Sequence, residues 1–211
     1  MNLIKILDSV ASRKELGPSP TFNQLHVLEA LEILGSEGPT GRIKLSRKLG
    51  LGEGSARTML KHMRLAGLIE GARTGYSLTR RGLKIYRYFR ENVRGPVSLP
   101  KTEITFGDYN VAFLVRDAAK GVKFGVEQRD AAIMVGAQGA VTLICKDGSL
   151  VMPGVEGDCL KELPEVRNLL EEKLSPSPGD VIIIGVGESE RLAELGAKAA
   201  ILETLRKLSE G

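Results

Sequence analysis

The side chains in this sequence with the clearest chemical purpose are cations gathered in one stretch. Residues 41–94 hold 14 Lys and Arg against Glu53, Glu70 and Glu91, a balance of +11. Such a surface suits a polyanion: duplex DNA carries closely spaced phosphates, and each cation that neutralises one releases a counterion whatever the base sequence. Inside the stretch, residues 54–67 place Ala56, Met59, Leu60 and Met63 at i, i+3, i+4 and i+7, the stripe of a helix with one apolar side. Ser55, Arg57, Thr58, Lys61 and His62 fall on the other side. In the major groove, an Arg near the front of a helix can give two hydrogen bonds to guanine, and Ser or Thr can bond a base edge or touch a thymine methyl. Ser55, Arg57 and Thr58 are therefore candidates for base edges, and Lys61 and His62, a turn later, for phosphate. Arg73, with Thr74 and Tyr76, sits in a turn suited to the backbone or the minor groove, and Arg42, Lys44, Arg80 and Arg81 are further phosphate candidates. Any one of them could be an ordinary solvated residue; 14 bases against three acids is more than solubility alone explains.

Other kinds of chemistry have little to work with. Cys145, Cys159, His26 and His62 have neither CxxC nor HxxxH spacing, so no metal site is expected. Each cysteine reads as a small buried apolar residue, and His26, between Leu25 and Val27, as structural. Gly185 and Gly187 lie between an apolar run and a helix start, where free N–H groups could hold an anion. The third glycine of a dinucleotide fingerprint and the Gly-Lys-Ser/Thr of a P-loop are absent, and a tight turn capped by Ser189 accounts for the pair. No GxSxG or Cys–His nucleophile pattern occurs, Asp117, Glu127 and Asp130 are scattered, and Glu171–Glu172 reads as a solvated face. No catalytic residue, metal or cofactor is expected, and the chain reads as a binding protein rather than an enzyme.

Composition bounds the rest. An apolar fraction of 42% and a charged fraction of 27% over 211 residues belong to an ordinary globular chain with enough core for two small domains. No apolar run reaches the ~18 residues of a membrane span, and Lys5 and Asp8 come too early for a signal peptide, so a cytoplasmic protein without a membrane partner is expected. The absence of Trp, with only three Gln and five Asn beside abundant Arg, Lys and Glu, points to a heat-stable chain. Divided at Gly95–Pro96, the first part carries 17 bases against 8 acids and the second 13 against 18, balances of +9 and −5. A basic module, 1–95, and an acidic one, 96–211, follow.

Within the first module, Leu3, Leu7, Val10 and Ala11 form a leader helix that must pack on its own domain or on a dimer partner, and Gly17-Pro18-Ser19-Pro20 reads as a stiff linker. Thr21 and Gln24 have capping-box spacing ahead of a helix over 22–34. Leu45, Leu49 and Leu51 mark a short second helix closed by Gly50 and Gly52; the helix of Arg57 follows; residues 68–70 and 76–79 bracket a hairpin turn; and Thr79 caps a last helix with Leu83, Tyr86, Phe89 and Val93 on one stripe. This order, with the wording of residues 45–58 and 63–69, resembles the winged helix-turn-helix regulators of prokaryotes. The resemblance covers about residues 21–93 and implies sequence-specific binding of double-stranded DNA by a homodimer on a two-fold operator.

In the second module, 103–106 reads as a strand, Val111, Leu114, Val115, Ala118 and Val122 as a helix, and 130–135, 140–145 and 150–152 as strands, the last two joined at Lys146-Asp147-Gly148. Pro164 opens a helix, residues 181–184 form a buried strand, and a long helix covers 189–208. The fold class expected is an N-terminal winged helix-turn-helix followed by a C-terminal α+β two-layer sandwich. As a whole the chain resembles a small archaeal family of regulator-type proteins whose C-terminal domain has no assigned function, which implies a domain for dimerisation or for sensing a small-molecule effector. Its layer order is also similar to an accessory domain of some bacterial aspartyl-tRNA synthetases and tRNA amidotransferases, a likeness of fold that leaves an RNA-associated module as the alternative, beside an enzyme carrying a regulatory winged helix.

Overall fold

A computed structural model describes residues 2–12 and 21–210, and the chain divides into two compact units, Met1–Glu91 and Asn92–Gly211. The proposed linker at residues 17–20 lies outside the described residues. Among those described, no helix is long and apolar enough to cross a membrane.

The first unit is mainly helical. Helix α1 (Leu3–Ala11) is capped by Asn2, whose side chain accepts from the Lys5 amide at 3.0 Å, and buries Leu3, Ile4, Leu7 and Val10. Of the two partners open to it, α1 takes its own unit, packing on α2 (Gln24–Glu37) and α4 (Glu53–Leu65). The cap of α2 differs from the expected one. Asn23 is the N-cap, accepting from the His26 amide at 3.3 Å, while His26 Nδ1 accepts from the Asn23 amide at 3.2 Å. Asn caps as well as Thr, and the shift leaves Phe22 buried and Thr21 free to bond the Ser55 hydroxyl. Helix α3 (Arg42–Leu49) ends at Gly50, which takes the left-handed conformation at φ 66°.

Strands β1 (Ile69–Ala72) and β2 (Gly75–Leu78) form a hairpin turning at Arg73-Thr74, and the Thr40 and Tyr76 amides each donate to the other residue's carbonyl at 2.9 Å. Helix α5 (Arg80–Asn92) is capped by Thr79, whose hydroxyl accepts from the Gly82 amide at 3.1 Å. Its buried residues are Gly82, Ile85 and Phe89; of the expected stripe Phe89 and, just past the helix, Val93 are buried, while Leu83 and Tyr86 are half-buried. The reason is close approach: a Cβ at Gly82 would lie 2.0 Å from the Leu68 carbonyl oxygen, so the side without a side chain is the one turned inward.

The second unit is α+β, built on a five-stranded antiparallel sheet of order β3-β4-β7-β5-β6. Its strands are β3 (Val93–Leu99), β4 (Tyr109–Val115), β5 (Gly139–Lys146), β6 (Ser149–Val151) and β7 (Val181–Gly187); its helices are α6 (Val126–Met134), α7 (Pro164–Leu174) and α8 (Glu190–Glu210). Gly95–Pro96 falls within β3 at an irregularity, where the register against β4 shifts between Arg94 and Val97, as an edge strand permits.

Three segments differ from the sequence reading. Residues 109–115 are a strand, not a helix; lying between β3 and β7 with both faces covered, they lack the alternation that marks a half-exposed strand. Residues 130–135 belong mostly to α6, and residues 103–106 form a turn closed by the Thr102–Thr105 bridge. The expected hairpin at Asp147-Gly148 is present, both residues having positive φ.

The sheet is also covered on both faces, a correction to the two-layer arrangement. Ala112, Leu114, Leu143, Ile182 and Ile184 share a core with Val166, Leu170 and Leu174 of α7. The opposite face meets α8, which comes so near β7 that a Cβ at Gly185 would lie 2.0 Å from the Ala193 carbonyl oxygen and one at Gly187 2.6 Å from the Ala193 amide. The two glycines are thus explained by helix–sheet packing.

Gly185→Ala is expected to destabilise by about 1–3 kcal/mol or more, read as a lowered denaturation midpoint at unchanged m, since backbone must move to admit the methyl. Both cysteines are free; burial pushes the Cys159 thiol up to about 11, and its Sγ donates to the Leu150 carbonyl at 2.8 Å. Native protein at pH 8 should therefore alkylate at Cys159 far more slowly than urea-unfolded protein; equal rates would contradict this environment.

Candidate nucleic-acid interface

Helix α4 is held by one side. Ala56, Met59, Leu60 and Met63 are buried, as the i, i+3, i+4, i+7 spacing requires, and this obliges Arg57, Thr58, Lys61 and Arg64 to stand exposed on the opposite side. The C-terminal end is closed by Gly67 at φ 69°, with the Leu68 amide donating to the Met63 carbonyl at 2.9 Å and Arg81 Nη1 to the Ala66 carbonyl at 2.8 Å. The helix is thereby fixed at its base, and its outer face carries three cations in two turns.

Not every expected residue joins that face. His62 is 6% exposed: its Nδ1 lies 2.9 Å from the Val10 carbonyl of α1, and its ring meets Phe22 edge-on with centroids 5.6 Å apart. His62 is therefore corrected from a phosphate candidate to a pin between α4 and α1. Heptad position could have revealed it, since His62 follows Ser55 by seven and both lean toward the buried side. Ser55 is only half-exposed, its hydroxyl hydrogen-bonded to Thr21. Thr58 is exposed, its hydroxyl donating to the Gly54 carbonyl at 3.1 Å.

The flanking cations divide into exposed and engaged. Arg42 is half-buried, its Nη2 3.6 Å from Glu53, tying the first turn of α3 to that of α4. Lys44 lies 3.0 Å from Glu37 Oε2, and Lys48 bonds Glu37 Oε1. These bonds, Lys48 first and Lys44 second, hold the Glu37 carboxyl below its ordinary value, so its ion pairs are intact at neutral pH and are lost as pH falls through the lowered value. Glu37 was missed by the sequence reading because its partners are seven and eleven positions away, on another helix. Arg47 and Arg64 were missed too, although Arg64 is seven residues after Arg57 on the same exposed face.

In the hairpin, Arg73 and Thr74 are exposed at the turn and Tyr76 is half-buried beside Thr40. Gly75 enforces this geometry: its φ is 135°, and a Cβ there would lie 2.5 Å from the Thr40 carbonyl carbon. Arg80 and Arg81 are both exposed on the first turn of α5, with Arg81 partly committed to closing α4.

Residues 28–84 match the model of the PH0730-like, N-terminal domain, and residues 106–205 match that of a domain of unknown function, DUF4443. The chain is thus similar, over separate parts of its length, to two families of domains, the second of them without an assigned role. Among solved structures it is similar to the hypothetical protein PH0730 from Pyrococcus horikoshii OT3, 27% identical over 90% of this chain and 95% of that one, with a TM-score of 0.66. No curated protein matches.

Two substitutions separate support from contact. His62→Ala should cost roughly 2–4 kcal/mol of stability by emptying a buried, hydrogen-bonded site, without changing how the folded protein responds to polyanions. Glu37→Gln should remove the one negative charge that Lys44 and Lys48 share, so that any affinity for duplex DNA rises and falls off more steeply with salt; an unchanged salt slope would show that these lysines lie outside any phosphate footprint.

Proposed function

We propose that this protein is a sequence-specific DNA-binding transcriptional regulator. On this reading the first unit is a winged helix-turn-helix, in which α3, the turn at 50–52 and α4 form the reading motif and the β1–β2 hairpin is the wing. The observation that carries the reading is the outer face of α4, where Arg57, Thr58, Lys61 and Arg64 stand exposed on a helix anchored from behind. A helix so held can enter the major groove without the unit losing its core. Arg57 and Thr58 take the base-reading role; Ser55, already bonded to Thr21, is left a supporting one. Lys61, Arg64, Arg80, Arg81 and the wing residues Arg73 and Thr74 contact phosphate or minor groove, and Arg42 and Lys44 do so only by exchanging Glu53 and Glu37 for phosphate.

The second unit, with its acidic balance, makes no DNA contact and serves the homodimer or a small-molecule effector, and no catalytic step is assigned to it. Two cationic units brought together by a dimer would double the phosphate contacts and read a two-fold site.

Genomic fragments selected by the full-length protein at two salt concentrations should converge on one sequence, ideally a palindrome. On that sequence Arg57→Ala should lose about 1–3 kcal/mol of discrimination, while Lys61→Ala should weaken all duplexes alike and reduce the salt slope by about one. Equal loss on every sequence for Arg57→Ala would refute its base-reading role, and preference for structured RNA over duplex DNA in competition would replace the regulator reading with an RNA-associated one.

A further inference from the structure

The second unit contains a cavity of about 220 Å³ that no part of the DNA reading uses. It arises where the sheet edge is incomplete. Strand β6 pairs with β5 only over Ile144–Lys146, after which the chain turns away at Met152-Pro153, leaving Ala140–Leu143 without a partner strand on that side. Met152, Pro153 and Val155 form one wall and Phe124, Gly125 and Val126, at the start of α6, the other. Phe124, Val126 and Val155 are 63%, 44% and 58% exposed, unusual for apolar side chains that converge on one hollow.

Two polar features converge on the same hollow. The N-cap of α6 is Gly125, at φ 75°, which offers no side chain to the first-turn amides, so these N–H groups are left without an intrahelical or capping acceptor. Independently, Thr142 lies on the floor at 5% exposure, and its hydroxyl has no hydrogen-bond partner in the protein. Thr142 and the N-cap line the hollow together: a Cβ built at Gly125 would lie 3.5 Å from Thr142 Cβ and 3.7 Å from its Oγ1. A buried hydroxyl without a partner costs about 1–3 kcal/mol, so a strand position that could carry Val keeps Thr at a cost. Positive charge adjoins the mouth, where Lys123 Nζ stands 5.8 Å from the Phe124 ring centroid; Arg129, on the rim, is already paired with Asp130 at 3.0 Å and Glu127 lies in the first turn of α6.

We propose that this cavity binds a small monocarboxylate with an apolar tail. The carboxylate accepts from the Thr142 hydroxyl and the first-turn amides of α6, where the helix dipole favours an anion. The tail lies against Phe124, Val126, Met152 and Val155. The volume, below the ~300–1,000 Å³ of drug-sized sites and equal to roughly seven waters, limits the ligand to about ten heavy atoms. This locates the effector role allowed for the second unit, yet depends on nothing in the first.

The test uses the full chain without nucleic acid, so its failure is distinct from failure of the DNA reading. Hexanoate and 4-methylpentanoate, titrated by calorimetry and by thermal shift, should bind saturably at millimolar concentration or below, and hexanol and hexylamine at least fivefold more weakly. Thr142→Val should weaken hexanoate at least fivefold with no loss of melting temperature in the absence of ligand; Val126→Phe, which narrows the mouth from an exposed position, should also weaken it. Absence of saturable binding, equal binding of all three head groups, or unchanged affinity in Thr142→Val would overturn the proposal. So would self-association that Phe124→Arg abolishes and hexanoate leaves unaltered, since a second copy would then be what covers the face.

Discussion

A helix pressed into a small core by one stripe has no choice about what its other stripe presents, and the first unit depends on that constraint at α4. Ala56, Met59, Leu60 and Met63 go inward because their burial removes apolar surface from water, at about 25 cal/mol per Å². Arg57, Thr58, Lys61 and Arg64 go outward as a consequence. The remaining features of the unit hold this orientation. His62 pins α4 to α1, Thr21 to Ser55 joins its first turn to the entry of α2, Arg42 to Glu53 links it to α3, and Arg81 closes its last carbonyls. None of these contacts is large alone, but each restrains rotation of α4 about its axis, and rotation by one residue would exchange cations for methionines.

Charge on this unit is arranged with less freedom than its composition suggests. Of the cations flanking α4, Lys44 and Lys48 share the single charge of Glu37, and Arg42 lies beside Glu53. Exposed pairs of this kind contribute little stability, typically ~0–1 kcal/mol, so their consequence is electrostatic: they lower the field over α3.

The second unit rests on a different constraint, a central strand enclosed on both sides. Strand β7 is flanked by β4 and β5 and covered by α7 on one face and α8 on the other, so every residue from Val181 to Gly187 is buried. Such a strand can approach a helix closely only where it lacks side chains, and Gly185 and Gly187 supply the gap. The sheet is complete around β7 and incomplete at its far edge, where short β6 leaves part of β5 without a partner strand.

By itself the sequence determined whatever follows from local pattern. The amphipathic spacing of α4, the Thr79 cap, the Asp147-Gly148 hairpin, the Pro164 helix start and the charge asymmetry all depend on neighbours a few residues apart, and they are legible for that reason. Tertiary structure decided what depends on distant partners: that residues 109–115 are a strand enclosed by its neighbours, that residues 130–134 end a helix, that Gly82 sets the buried face of α5, that both faces of the sheet are covered, and that His62 faces Val10 rather than solvent. The site divides the same way. Arg57, Thr58 and Lys61 were readable because exposure is the complement of a visible stripe, whereas the pairing of Lys44 and Lys48 with Glu37 and the unpartnered hydroxyl of Thr142 exist only once separate elements meet, since neither an ion pair nor an unfilled hollow has any signature in the order of residues along one chain.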